Sequence, residues 1–442
     1  MVRRSWVLTD AGLITAAGDS PGEVFAAVLA AVPLAVRERR SAAPVAVGEC
    51  SMPGEAPPPA GKISPGVPFA GPRAASAGGS RHPASVPVRG FDPKTYLARK
   101  GLKDLSRTSQ LACAAASRVA AGIANVAPSR VGIALGSAWG SLRTVVEFER
   151  AAWVDGPRFV DPVLFTETVS NVPAGQIAIA FGWSAFNVTV SSGTASGLEA
   201  LATARELLEE GRAEIAVAGG ADELNAPLLR ALCAEGSLSA NPGSLPLDEG
   251  RSGPIGGEGA CLVTLETADG ARARGARPLA RVLATVRRYL GDPGPRRAPS
   301  SGAIAAALYE VLDRARLRPD AIDLLVLSAG GRAEADLAEA GAVLAVFGRG
   351  GGAPPVVLPK AILAETWGAS GPIGVALALE AMRTGTIPGR PASWRPAPGA
   401  EGLNLPPRAL RRPVRRALVL DVSDRGHAAA IALAAPEASG GD

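Results

Sequence analysis

Side chains able to do covalent or acid–base chemistry are sparse in this sequence, and their spacing points to one turn. Residues 186–190 (Phe-Asn-Val-Thr-Val) read as a β-branched strand, residues 191–194 (Ser-Ser-Gly-Thr) as a tight small-residue turn, and residues 196–210 as a helix. Such a turn offers one side chain to the helix N-terminus, where backbone N–H groups and the helix dipole lower a nucleophile's pKa. The side chain in that place is Thr194. Two readings of it stay open: a residue presented for chemistry, or a hydroxyl that caps the helix. The whole chain has two histidines. His82 falls in a Pro/Ala/Gly-rich stretch and His427 in a closing Ser-Asp-Arg-Gly-His run, so neither supplies the base that a Thr194 nucleophile needs.

Metal and cofactor chemistry find no motif. Cys50, Cys113, Cys233 and Cys261 are scattered without CxxC spacing, which argues against a zinc site or a disulfide framework. The glycines at 136–140 and 348–352 lack the continuation of a dinucleotide loop. We therefore expect neither cofactor nor metal. Formal net charge is +5, from 46 Lys+Arg against 41 Asp+Glu. Arginines cluster at 287–297 and 408–416 with only Tyr289 interleaved, which reads as a solvated face rather than a nucleic-acid surface. A small positive charge favours docking of a negatively charged protein partner. The start lacks the apolar core of a signal peptide, and no apolar run reaches bilayer length, so the expectation is a soluble, cytoplasmic protein with no membrane contact.

The elements that must hold these residues alternate. Strands are expected at 6–9, 131–135, 186–190, 214–219, 261–265, 324–327, 356–358, 417–422 and 429–434. Helices are expected at 21–34, 104–124, 196–210, 303–315, 333–346 and 371–383, the first opened by the Ser20-Pro21 cap signal. Near-continuous apolar strands alternating with helices imply α/β architecture, with mainly parallel sheets covered on both sides. The second half repeats the order of the first, so a duplicated unit is expected, with halves at 1–270 and 271–442. Residues 41–89, rich in Pro, Ala, Gly and Ser, read as a flexible insertion.

The turn carries a resemblance. Residues 192–201, Ser-Gly-Thr-Ala-Ser-Gly-Leu-Glu-Ala-Leu, are similar to the nucleophile elbow of β-ketoacyl synthases, T-A-C-S-S-G-L-x-A-L. Residues 218–223 (Ala-Gly-Gly-Ala-Asp-Glu) resemble that family's A-G-G-x-E. Residues 246–259 resemble its P-F-D-x-x-R-x-G-F-x-x-G-E-G. The likeness runs in order through nearly all of the chain outside 41–89 and the arginine-rich tails. It implies a thiolase-like fold, two similar halves with mixed, mainly parallel sheets layered between helices (α-β-α-β-α), and usually a dimer.

The resemblance also implies what is missing. Family members load an acyl chain on a cysteine and condense it with malonyl on acyl carrier protein, assisted by two histidines. Thr194 stands at the cysteine position. Asp336 and Glu339 fit the D-x-x-E pair that follows the first histidine, whose place falls among residues 328–331, Ser328 foremost, where no histidine occurs. Lys360 matches the lysine of K-S-x-x-G-H and Glu365 takes the second histidine's place, and the two read either as a buried ion pair or as a catalytic pair. His427 falls at a structural position of the closing loop, where Asp424 replaces a phenylalanine and Arg425 a glycine. A carboxylate there would oppose an oxyanion unless Arg425 or Lys360 neutralises it. Asp424, Pro254, Trp139 and Phe165 are the expected tunnel-lining residues, and Phe186, Val188 and Val190 the expected dimer contacts.

The function that follows is a non-condensing subunit resembling the chain-length factors of type II polyketide or aryl-polyene systems. It would be paired with an active ketosynthase and acyl carrier protein and would shape the tunnel for an acyl or polyketide chain. Those subunits often carry glutamine where Thr194 stands. Two rivals are an acyltransferase or thioester hydrolase with altered chemistry at Thr194 or Ser192 with Glu365, and a stand-alone acyl-binding scaffold.

Overall fold

The computed structural model describes residues 4–30, 84–98, 101–291 and 298–437. The expected insertion thus lies outside the described residues up to 83. Its last residues, 84–89, belong to the packed fold instead. Ala84, Val86 and Val88 are buried, and the Val88 N–H donates to Glu258 Oε1 at 2.8 Å.

The first half supplies β1 (Trp6–Thr15), β2 (Ser85–Val86), β3 (Val131–Gly136), β4 (Asn187–Val190), β5 (Ile215–Asp222), β6 (Gly256–Gly257) and β7 (Gly259–Thr267). The second supplies β8 (Ala280–Tyr289), β9 (Leu324–Val326), β10 (Val356–Val357), β11 (Thr386–Ile387), β12 (Leu410–Arg411), β13 (Arg416–Val422) and β14 (His427–Ala434). The strand order β4-β3-β5-β7-β1 in one half is repeated as β10-β9-β13-β14-β8 in the other. In each, four strands run one way and one, β7 or β14, runs against them. The halves join where β1 pairs antiparallel with β8, Val7 opposite Arg281. This is the mixed, mainly parallel pattern of the expected duplicated α/β unit.

Five layers follow from where the apolar faces go. Helix Arg107–Ala120 covers the outer face of β1, β5 and β7, and helix Ser301–Ala315 with helix Ala333–Phe347 covers the outer side of the second half. Helices Ser196–Glu209 and Ser370–Thr384 lie between the halves, the latter touching β13 and β9 on one side and β7 and β5 on the other. Ser370–Thr384 is apolar nearly all round because both of its faces are covered. Ser20 caps the first helix by accepting from Glu23 N, as its sequence signal requires, and that helix ends at Leu29 within the described residues.

Besides the two-residue strands β2, β6, β11 and β12, one long strand escaped the sequence reading. In β8, Ala280, Val282, Ala284 and Val286 are buried and alternate with Arg281, Leu283, Thr285 and Arg287, the period of a strand with one wet face. Its arginines drew attention away from that alternation. Arg287 pairs with Glu206 at 2.6 Å and Arg288 with Glu310 at 2.9 Å, which is the behaviour of a solvated face. Among the described residues, no helix is long and apolar enough to cross a membrane.

The inner layer is closed by glycine. A β-carbon on Gly197 would stand 2.1 Å from the Gly368 carbonyl oxygen and 2.6 Å from Pro372 Cδ. Gly197→Ala should therefore lower stability by about 1–3 kcal/mol through overpacking, read as a lower denaturant midpoint. Gly302→Ala, on the outer helix with open space around it, should instead be neutral or stabilise by about 0.4–1 kcal/mol.

Candidate functional site

The turn after β4 is built by small residues that the neighbouring half presses on. Gly193 has φ +67°, and a β-carbon there would lie 2.2 Å from Ser423 Oγ, so glycine is required on both counts. The Ser196 hydroxyl accepts from Ser192 N at 2.8 Å and donates to the Gly193 carbonyl at 2.5 Å, which folds the turn onto its helix. Thr194 does not cap that helix. Its hydroxyl donates to the Val422 carbonyl at 3.1 Å, tying the turn to the end of β13.

Around it lies a cavity of about 760 Å³ walled by both halves. It brings together Trp139, Thr194, Pro254, Ser328, Lys360, Glu365 and Asp424, seven of the residues singled out from sequence. Phe165 is not among them. Its ring is 58% exposed and packs on Phe148 with centroids 5.7 Å apart, because its short helix sits on the surface. Phe186, Val188 and Val190 lie apart from the cavity, at β4 on the edge of the sheet. Phe186 precedes the strand proper, and its ring fills the space that a side chain on Gly132 would take.

Carboxylates hold the cavity walls. Asp222 accepts from the Ser137 hydroxyl at 2.6 Å and from the N–H groups of Ala138, Trp139 and Gly368 at 2.8 to 3.0 Å. Burial pushes its pKa up to about 6 against those hydrogen bonds. Asp336 accepts from Leu247 N at 2.7 Å and from Gly330 N and Gly331 N, and Glu339 accepts from Ser328 N at 2.9 Å. The D-x-x-E pair thus pins the segment where the resemblance sets the first histidine. Glu258 is held by Arg107, and accepts from Leu224 N at 3.0 Å.

Lys360 Nζ donates to Glu365 Oε2 at 2.7 Å, with side chains 5% and 9% exposed. Glu365 Oε1 accepts from Trp367 N at 2.8 Å and from the Ser370 hydroxyl at 2.9 Å, so its donors are a lysine, an amide and an alcohol. Ala364 and Trp367 take left-handed backbone, φ 66° and 46°, to close the loop around it. Burial alone would push Lys360 down. The charges of Glu365 and Asp421 outweigh it and hold the ammonium up at about 12. Asp421 is fully buried with no hydrogen-bond partner on either oxygen, and burial lifts it to about 8 even against the pull of Lys360. Burial likewise lifts Glu339 to about 7.

At the mouth, Asp424 pairs with Arg332 at 3.4 Å rather than with Arg425 or Lys360. Arg425 lies over the Trp139 ring, 5.9 Å from its centre. His427 also lines the cavity, its Nδ1 3.2 Å from Glu199 Oε1, and Glu199 Oε2 accepts from the Ser192 hydroxyl at 2.6 Å. The Thr194 hydroxyl donates to a carbonyl, so nothing draws its proton away and it is a poor nucleophile. Cys261 is no substitute: burial pushes its thiol far up.

Comparison with known proteins fits this arrangement. Residues 73–271 match the family described as "Beta-ketoacyl synthase, N-terminal domain" and residues 291–392 its "C-terminal domain". The tetracenomycin polyketide synthase ketoacyl synthase beta subunit of Streptomyces glaucescens is 30% identical over 349 residues, 74% of this chain and 84% of that protein. The chain belongs to the β-ketoacyl synthase family. The 3-oxoacyl-[acyl-carrier-protein] synthase 2 of Vibrio cholerae is 31% identical over 212 residues, covering 44% of this chain and 50% of that one. In fold, the ishigamide ketosynthase/chain length factor superposes with TM-score 0.81 over 98% of this chain and 100% of that one, at 24% identity. A ketosynthase in complex with its chain length factor from Xenorhabdus doucetiae gives 0.76 over 98% of each chain at 16% identity.

Sequence reasoning missed Asp421 and Asp222 and undervalued His427. An aspartate inside the apolar run Leu418-Val-Leu-Asp421-Val was the available signal for the first.

Two outcomes follow from the buried charges. Lys360→Met should cost about 3–5 kcal/mol, because it strands Glu365. Adding Glu365→Gln should recover much of that loss in chemical denaturation, since its amide oxygen still accepts from Trp367 and Ser370. Second, Asp421 and Glu339 bind protons more tightly folded than unfolded, so stability falls as pH rises from the ordinary carboxylate range through about 8. The melting temperature should drop between about pH 5 and about pH 9, and Asp421→Asn should flatten the upper part of that slope.

Proposed function

We propose that this chain is a non-condensing subunit of the chain-length-factor type, which shapes an acyl tunnel and leaves the carbon–carbon bond to a partner ketosynthase. The observation that carries the reading is the buried Lys360–Glu365 pair. At the place where the resemblance sets the second histidine, a carboxylate accepts three hydrogen bonds and can donate none to a thioester oxygen. Thr194, at the cysteine position, and Ser328, in the stretch 328–331 that holds the first histidine's place, spend their hydroxyls on Val422 and Glu339. The fold, the cavity and the loop-pinning carboxylates are kept, which suits a tunnel wall and not a condensing centre.

A second subunit is also supported by what is left uncovered. Edge strand β4 presents Val188 and Val190 half-buried. Trp153, Val154, Phe159, Val163, Phe165 and Ile179 are exposed on the elements that precede it. A soluble monomer rarely leaves so much apolar surface beside an open sheet edge. The tetracenomycin relative is named as a beta subunit, and the fold neighbours are a ketosynthase/chain length factor and a ketosynthase bound to its chain length factor. On this reading Phe165 belongs to the assembly surface, the partner is an active ketosynthase in the cytoplasm, and acyl carrier protein delivers the chain. Acyl transfer from Thr194 with Glu365 as base is disfavoured, since Glu365 is already saturated by its own donors.

The purified chain alone should form no β-ketoacyl product from acyl and malonyl carrier protein, and Thr194→Cys should not restore it. Measurable condensation by either sample would overturn the assignment. Co-expressed with its ketosynthase, the chain should run as a heterodimer by light scattering, and Val188→Asp should abolish both that species and the pathway product. A well-behaved monomer unaffected by that substitution would point to a stand-alone scaffold.

A further inference from the structure

We infer that His427 is the general base of a hydrolytic site in the cavity, releasing an acyl chain from its thioester, with Glu199 as its positioning residue. The inference goes beyond the non-condensing role and takes its substrate class, an acyl thioester, from that reading. His427 opens β14 and lines the cavity together with Thr194, Trp139 and Lys360. Its Nδ1 faces Glu199 Oε1 at 3.2 Å, on the helix that follows the elbow. The second oxygen of that buried carboxylate is held by the Ser192 hydroxyl at 2.6 Å, so the carboxylate cannot turn away. A carboxylate at Nδ1 keeps the proton there and leaves Nε2 as the acceptor. The Tyr289 ring, 5.1 Å away, packs beside the imidazole. Among the described residues this is the single imidazole, and its side chain stays one-third exposed, open to water.

No neighbouring base draws on Thr194, so the nucleophile is water. Nε2 takes a proton from water as its oxygen bonds to the thioester carbonyl carbon. The C–S bond then breaks, and the thiolate leaves with the proton returned by the imidazolium. The products are a free carboxylic acid and a thiol, and no further reactant is needed. The titratable and charged groups that touch His427 or share its cavity are Glu199, Tyr289 on β8, Asp424 and Arg425 on its own turn, and Glu235, Arg332, Asp336, Glu339, Lys360 and Glu365 around the cavity.

The test uses the full chain with an octanoyl-pantetheine thioester, and the matching amide as a binding probe that resists cleavage. Wild type should release thiol at least about tenfold faster than buffer. His427→Gln should fall about 100-fold or to the buffer rate at unchanged melting temperature. Glu199→Gln should lower kcat several-fold with KM unchanged, the split expected when a positioning residue and not a binding contact is lost. Intact mass during turnover should show no acyl adduct. An adduct on Thr194, or a wild-type rate no higher than that of buffer, overturns the inference whether or not the variants fold. Amide binding without thioester cleavage sinks the hydrolytic role and leaves the tunnel reading standing, and failure of the isolated chain to bind the amide sinks the hydrolytic role as well, the tunnel reading being decided by the heterodimer.

Discussion

The carbonyl oxygen of Gly368 lies where a β-carbon on Gly197 or Gly220 would have to stand, 2.1 Å and 1.9 Å away. Three backbones from the two halves meet there with no side chain between them. Asp222 closes the same junction, accepting from Gly368 N and from the turn at 137–139. Once this contact is made, the positions of Trp139, of the elbow helix and of the loop carrying Glu365 follow, and with them the cavity. Small residues are demanded by the approach distance and not by local secondary structure, which accounts for the run of Gly, Ala and Ser in both inner helices.

Around that junction the protein has accumulated acid. Asp421, Glu339 and Glu365 surround the ammonium of Lys360. Two of the carboxyls are pushed far above their ordinary range by burial, so the cluster settles its charge by keeping protons. Donors aimed at a thioester oxygen would be the requirement for condensation, and here they are spent on the protein itself. Packing and the supply of hydrogen-bond donors are separable here because different atoms do the two jobs.

How much of this could be read from residues alone depended on whether the signal was local. The elbow, Lys360 with Glu365, and the inner helix at 371–383 carried their pattern in short runs, and all three sit where the pattern set them. β8 was overlooked because its wet face is arginine, although its buried face alternates cleanly. Phe165 was misplaced in the cavity because an aromatic reads as core until its short helix is seen on the surface. Ser192, Glu199 and His427 could not be connected from sequence. Their meeting requires the turn before β14 to reach across to the other half.

Because Trp139 and Thr194 come from one half and Lys360 and Asp424 from the other, the cavity exists only while the halves are docked. An occupant that touches both walls acts as a clamp on the junction, and its binding free energy adds to the work of separating them. The elbow amides and those of the 423–426 turn, far apart in the chain, then belong to one cooperative opening unit. Their exchange with solvent slows together when the cavity is filled, and it quickens together when it is empty.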